Sequence, residues 1–66
     1  MALTVNGDKY TRKTPLGLKE LLVDLKVNPR RAAVVVNDEV VQRAKQAGFI
    51  LNDGDRVEIL TLAVGG

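Results

Sequence analysis

One segment of this chain has the period of a helix, and the segments around it have the period of strands. Leu18, Leu21, Leu22 and Leu25 stand at i, i+3, i+4 and i+7, a single apolar stripe on a 3.6-residue repeat. Gly17 is a tolerable N-cap, and Glu20 places a carboxylate in the first turn, where the helix dipole favours it. Asn28-Pro29 stops the run, because a residue before proline is pushed out of the α region. A lone helix with one apolar stripe needs a sheet to bury it, so the stripe reads as core and not as a partner-binding face.

The flanking segments supply the sheet. Met1, Leu3 and Val5 alternate with Ala2 and Thr4, the pattern of a half-buried strand. Asn6-Gly7 follows, a pair that tolerates the positive φ of a type I′ turn. Lys9 to Thr14 is then the returning strand, and its charge suits a sheet edge. Ala32 to Asn37 is short, β-branched and apolar throughout, which predicts a central strand covered on more than one side. Asn37-Asp38 turns the chain, and Glu39 to Arg43 carries Val40 and Val41 as a short strand. Ala44 to Gly48 fits one helical turn or a plain loop; Phe49 and Leu51 read as plugs under a long connection. Asn52-Asp53-Gly54-Asp55 is a turn with Gly54 at positive φ. In the last strand Val57, Ile59 and Thr61 point inward, and Arg56, Glu58, Leu60 and Leu62 point outward. Strands around one helix describe an α+β roll, with a mixed sheet of four to five strands.

Sixty-six residues make one small domain, which buries only roughly 60% of the surface its unfolded chain exposes. Residues 1–62 are expected to form it, with 63–66 a flexible tail. The absence of cysteine removes disulfides and fits a reducing, cytoplasmic setting. No apolar run is long enough to span a membrane, and no signal pattern opens the chain. A net charge of +2 with only Tyr10 and Phe49 as aromatics argues against a nucleic-acid module. Lys9, Arg12 and Lys13, and separately Arg30-Arg31, read as solvated surface charge.

Side-chain chemistry is sparse. With no histidine, cysteine or serine, the nucleophilic triads and most zinc sites are excluded. The carboxylates fall in turns or on exposed faces, without the apolar setting that tunes an acid or base. Asp53, Asp55 and Glu58 lack the ligand series of a calcium loop, and no phosphate-binding glycine motif is present. These residues argue against an enzyme, and no metal or stably bound cofactor is expected.

The end of the sequence is different. Ala63-Val64-Gly65-Gly66 continues the last strand into two glycines, and a terminal carboxylate can itself be a substrate once activated as an acyl-adenylate. Glycines lack Cβ, so they thread a narrow channel and leave the acyl carbon open to attack. At average usage a given pair is Gly-Gly only about 0.5% of the time. Leu60 and Leu62, outward on a face that begins with Arg56 and Glu58, are candidates for a docking surface beside that tail.

Taken together, Val5-Asn6-Gly7, the Leu18 to Leu25 helix, Ala33-Val34-Val35-Val36-Asn37 with Glu39-Val40-Val41, Asp53-Gly54-Asp55-Arg56-Val57-Glu58-Ile59 and Gly65-Gly66 resemble the ThiS family of sulfur carriers in thiamine biosynthesis. The resemblance spans nearly the whole chain. It departs at Gln42-Arg43, where the family often has a proline before the arginine, and at Lys45 to Phe49. It implies a β-grasp, ubiquitin-like fold, monomeric when free. It also implies a ThiF-type adenylyltransferase that uses ATP and Mg2+ to adenylate Gly66, a cysteine persulfide that supplies sulfur, and a Gly66 thiocarboxylate that donates it to thiazole synthase. Gly65, Val64 and Ala63 would thread the partner's active site. Three alternatives stay open: a carrier for molybdopterin or tRNA thiolation, a ubiquitin-like modifier conjugated through Gly66, and a plain β-grasp binding module.

Overall fold

A computed structural model describes residues 1–13 and 15–61. In chain order it contains β1 (Ala2–Val5), β2 (Asp8–Thr11), β3 (Leu16–Gly17), α1 (Leu18–Asp24), a 3-10 turn at Pro29–Arg31, β4 (Ala32–Val36), β5 (Glu39–Val40), α2 (Arg43–Gln46), β6 (Ile50–Leu51) and β7 (Arg56–Thr61). The main sheet runs β2-β1-β7-β4-β5, and β3 pairs with β6 in a second, two-stranded piece. β1 and β7 are parallel and the other pairs antiparallel, so the main sheet is mixed. This is the expected β-grasp roll.

Both tight hairpins follow from side chains that tolerate positive φ. Asn6 and Gly7 sit at φ 50° and 85°, and Val5 pairs with Asp8 across them. Asn37 and Asp38 sit at 51° and 69° between Val36 and its partner Glu39. β2 stops at Thr11, short of the predicted Thr14, because the hairpin runs out of partner. Arg12 N–H bonds the Met1 carbonyl, the Met1 ammonium bonds the Arg12 carbonyl at 2.6 Å, and the chain then leaves for β3. Thr14 lies outside the described residues.

The core fills the space between the main sheet and α1. Leu3, Val5, Val34, Val36, Val57 and Ile59 from the sheet meet Leu18, Leu21 and Leu22 from the helix, with Leu16, Val41 and Leu51 completing the cluster. Leu25 departs from its predicted stripe and is 37% exposed. The helix ends earlier than Asn28 because Lys26 adopts φ 58°, bonding its N–H to the Val23 carbonyl while Val27 N–H reaches Leu22. That is a Schellman stop with lysine in the position glycine usually takes.

Three further differences concern short elements. The predicted strand over Glu39 to Arg43 is only Glu39–Val40, and Arg43 begins α2, which decides the Ala44 to Gly48 ambiguity in favour of a helical turn. Leu51 is buried, as a plug should be, but it lies in β6. The β3–β6 pair was not foreseen; two residues carry no period. β6's neighbour Phe49 accepts the Leu18 N–H through its carbonyl at 2.8 Å, so the second sheet caps the helix that Gly17 cannot cap with a side chain. Finally, β4 is buried on one face only: Val34 and Val36 are covered, whereas Ala33 and Val35 are half-buried on the face away from α1.

Candidate functional site

The strand that leads to the end of the sequence is the best-held strand in the sheet. β7 lies between β1 and β4, with a five-residue register against β4 from Ala32–Thr61 to Val36–Val57. Val57 and Ile59 point into the core as predicted, at 0% and 8% exposure. Thr61, read as inward, is exposed at the strand's end.

Side chains extend the ladder where backbone pairing ends. β1 aligns with β7 only as far as Val5–Val57, and the Asn6 N–H then bonds the Val57 carbonyl at 2.9 Å. The next rung is made by a side chain: Ile59 N–H donates to Asn6 Oδ1 at 2.8 Å over a sequence separation of 53 residues. At the other end Asn37 Oδ1 accepts from Arg56 N–H at 2.9 Å, and Asn37 N–H returns a bond to the Arg56 carbonyl at 2.8 Å. Each asparagine therefore serves two purposes, entering a tight turn at positive φ and tying that turn to β7.

The outer face of the sheet carries the docking candidates. Cross-strand partners share a face, so the pairs Ala33–Leu60 and Val35–Val40 place these four residues together on the side away from α1. Leu60 is 58% and Val40 69% exposed, beside half-buried Ala33 and Val35. Arg56 occupies the same face next to Asp38 at 2.5 Å and Glu58 at 3.8 Å, and the bond to Asp38 holds its guanidinium pKa above the usual arginine value. An apolar patch with a charged border is the composition of a protein-binding surface. Of its members, only Leu60 was foreseen. Ala33 and Val35 carry a signal in the sequence, the surplus of apolar residues over Ala32 to Val36, which reads equally as cover on both sides; Val40 joins them only through the pairing of β5 with β4.

Leu62, Ala63, Val64, Gly65 and Gly66 lie outside the described residues, as does the expected division of the chain at residue 62. The turn carboxylates have structural occupations. Asp53 Oδ1 accepts from Ala2 N–H at 2.6 Å, and Asp55 accepts from Asn52 N–H at 2.7 Å and Asn37 Nδ2 at 2.9 Å. Tyr10 O–H donates to Asp24, which Arg12 also approaches, tying β2 to α1; that bond raises the phenol above its usual pKa. Among the described residues no cluster of three or more histidine, cysteine or acidic side chains could hold a metal ion. No helix among them is long and apolar enough to cross a membrane.

Known proteins share this fold. The solved structure of the thiamine biosynthesis protein ThiS from Geobacter metallireducens superposes with a TM-score of 0.84 at 39% identity, covering 100% of both chains. Its solution structure gives 0.82 over 100% of this chain and 88% of that one. A thiazole synthase from Paramagnetospirillum magneticum is 35% identical over all 66 residues, which span a fifth (20%) of its length. The uncharacterized protein ycf40 of Pyropia yezoensis is 32% identical, with 93% of its length covered. The model of the ThiS family matches residues 2–66, a span that includes the two strand-tying asparagines and the glycine pair, and the chain belongs to that family.

Proposed function

We propose that this protein is a sulfur carrier in thiamine biosynthesis, with the carboxylate of Gly66 as its reactive group. The observation that carries the reading is the family match over residues 2–66, which takes in Gly65-Gly66. The 39% identity to a thiamine biosynthesis protein supports the pathway, and the relative named thiazole synthase supports the acceptor.

In the proposed reaction a ThiF-type adenylyltransferase binds ATP and Mg2+, and a Gly66 carboxylate oxygen attacks the α-phosphorus, expelling pyrophosphate. A cysteine persulfide then attacks the acyl carbon and AMP leaves, which makes an acyl disulfide. A thiol cleaves its S–S bond and frees the thiocarboxylate, whose sulfur passes to thiazole synthase. This chain supplies no acid, base or metal to any of these steps. It supplies a rigid strand, β7, a patch around Leu60 for docking, with Leu62 as the proposed neighbour, and the tail from Ala63 to Gly66 that enters the partner's site.

The first half-reaction gives a direct test. With the adenylyltransferase present, the protein should support exchange of labelled pyrophosphate into ATP, and a chain trimmed of Gly65 and Gly66 should support none above background. Equal exchange by the trimmed chain would exclude Gly66 as the adenylated residue and leave the reading of a plain binding module.

A further inference from the structure

We infer a second protein-binding surface on the opposite side of the domain from the Leu60 patch, a basic groove between α1 and α2 that takes an acidic segment with a central apolar side chain. The groove encloses about 270 Å³. Val23, Pro29 and Ala47 form its exposed apolar lining, with Val23 at 70% exposure. Lys19, Arg30 and Arg43 surround them, and no acidic residue lines the groove.

The charge arrangement follows from the helices. Lys19 and Val23 are four residues apart on α1 and share a strip of its surface. The acids of that helix line the adjoining groove with Arg12: Glu20 and Asp24 lie there across the shared residues Lys19, Val23 and Ala47, and Asp24 is engaged by Tyr10 and Arg12. Among the described residues, Lys19, Arg30 and Arg43 form no ion pair. The backbone that carries two of the cations is fixed by local structure. The 3-10 turn is capped by Asn28, whose Oδ1 accepts from Arg30 N–H at 3.0 Å. Arg43 stands three residues before Gln46, whose buried side chain donates from Nε2 to the Val41 carbonyl at 3.1 Å and pins α2 to the core.

Size and chemistry together select the occupant. The volume is below the roughly 300–1,000 Å³ of small-molecule sites, so it suits a side chain of a protein more than a nucleotide or cofactor. Three cations around an apolar floor complement carboxylates flanking one apolar residue, and such complementarity steers encounter and selects partners. Because α1 separates this groove from the outer sheet face, a protein held here leaves Leu60 and β7 uncovered.

The test uses the 15N-labelled protein and a capped peptide, Asp-Glu-Phe-Glu-Asp. Its amide shifts should concentrate at Lys19, Val23, Arg30, Arg43 and Ala47, weaken as salt is raised, and fall at least about tenfold in affinity when serine replaces the phenylalanine. Arg30→Glu combined with Arg43→Glu should abolish them; all three cations are exposed, so the variant's own dispersed spectrum verifies its fold. Absence of shifts at saturating peptide, or shifts centred on Leu60 and Val40, would overturn the proposal. So would an equal response to tripolyphosphate, which would make the groove a small-anion site. Groove shifts that depend on protein concentration without peptide would assign it to a second copy of the chain and overturn it also.

Discussion

An Asn6→Ala protein is expected to be less stable by about 2–5 kcal/mol, because one substitution removes two supports. Alanine pays about 1–2 kcal/mol to hold a left-handed conformation that asparagine tolerates, here at φ 50°. The Ile59 N–H loses its acceptor, and a partly buried donor left unpaired costs about 1–3 kcal/mol. A domain of 66 residues has only about 3–10 kcal/mol in all at the usual per-residue stability, so the loss is a large share. Urea unfolding of three variants separates the contributions. Asn6→Gly keeps the backbone conformation and should lose only the bond to Ile59, whereas Asn6→Asp keeps both features and should stay near the parent. If Asn6→Gly unfolds at the parent's midpoint, the side-chain rung on β7 contributes nothing.

The second large effect is expected at the docking patch. Leu60→Asp should raise the apparent KM for the carrier in the adenylation reaction by about tenfold or more, since a carboxylate would be desolvated against an apolar partner surface. Leu60 is exposed and lies opposite half-buried Ala33 on the outer face, so the same change should move the melting temperature little. Unchanged kinetics in a folded Leu60→Asp protein would remove this face from the adenylyltransferase interface.

The sequence showed most of the fold because its signals were local. The leucine stripe, the alternation of Met1 to Val5 and the two Asn-initiated turns each depend on neighbouring residues, and each lies where expected except for Leu25 at the end of the stripe. What it hid depends on contacts far along the chain. The helix stop at Lys26 carries no glycine to announce it, and the β3–β6 pair joins Leu16 to Leu51 across 35 residues with only two residues on each side. The same distance effect governs the site. Leu60 could be singled out from its own strand, but Val40 joins its patch only through pairing of β5 with β4 and of β4 with β7. The Asn6–Ile59 bond was equally out of reach, since Asn6 already had a sufficient local reason to be asparagine.

The rolled sheet, the tied β7 strand and the apolar patch beside it all serve one end in this account: presenting Gly66 for sulfur loading. That claim is tested most directly by intact mass spectrometry after incubation with the adenylyltransferase, ATP, Mg2+, a persulfide donor and a thiol. The account predicts a product in which one oxygen of the protein is replaced by sulfur, with fragmentation locating the change at Gly66. An enzyme preparation that is active on another carrier but leaves this protein's mass unchanged, or a sulfur located away from Gly66, would contradict it.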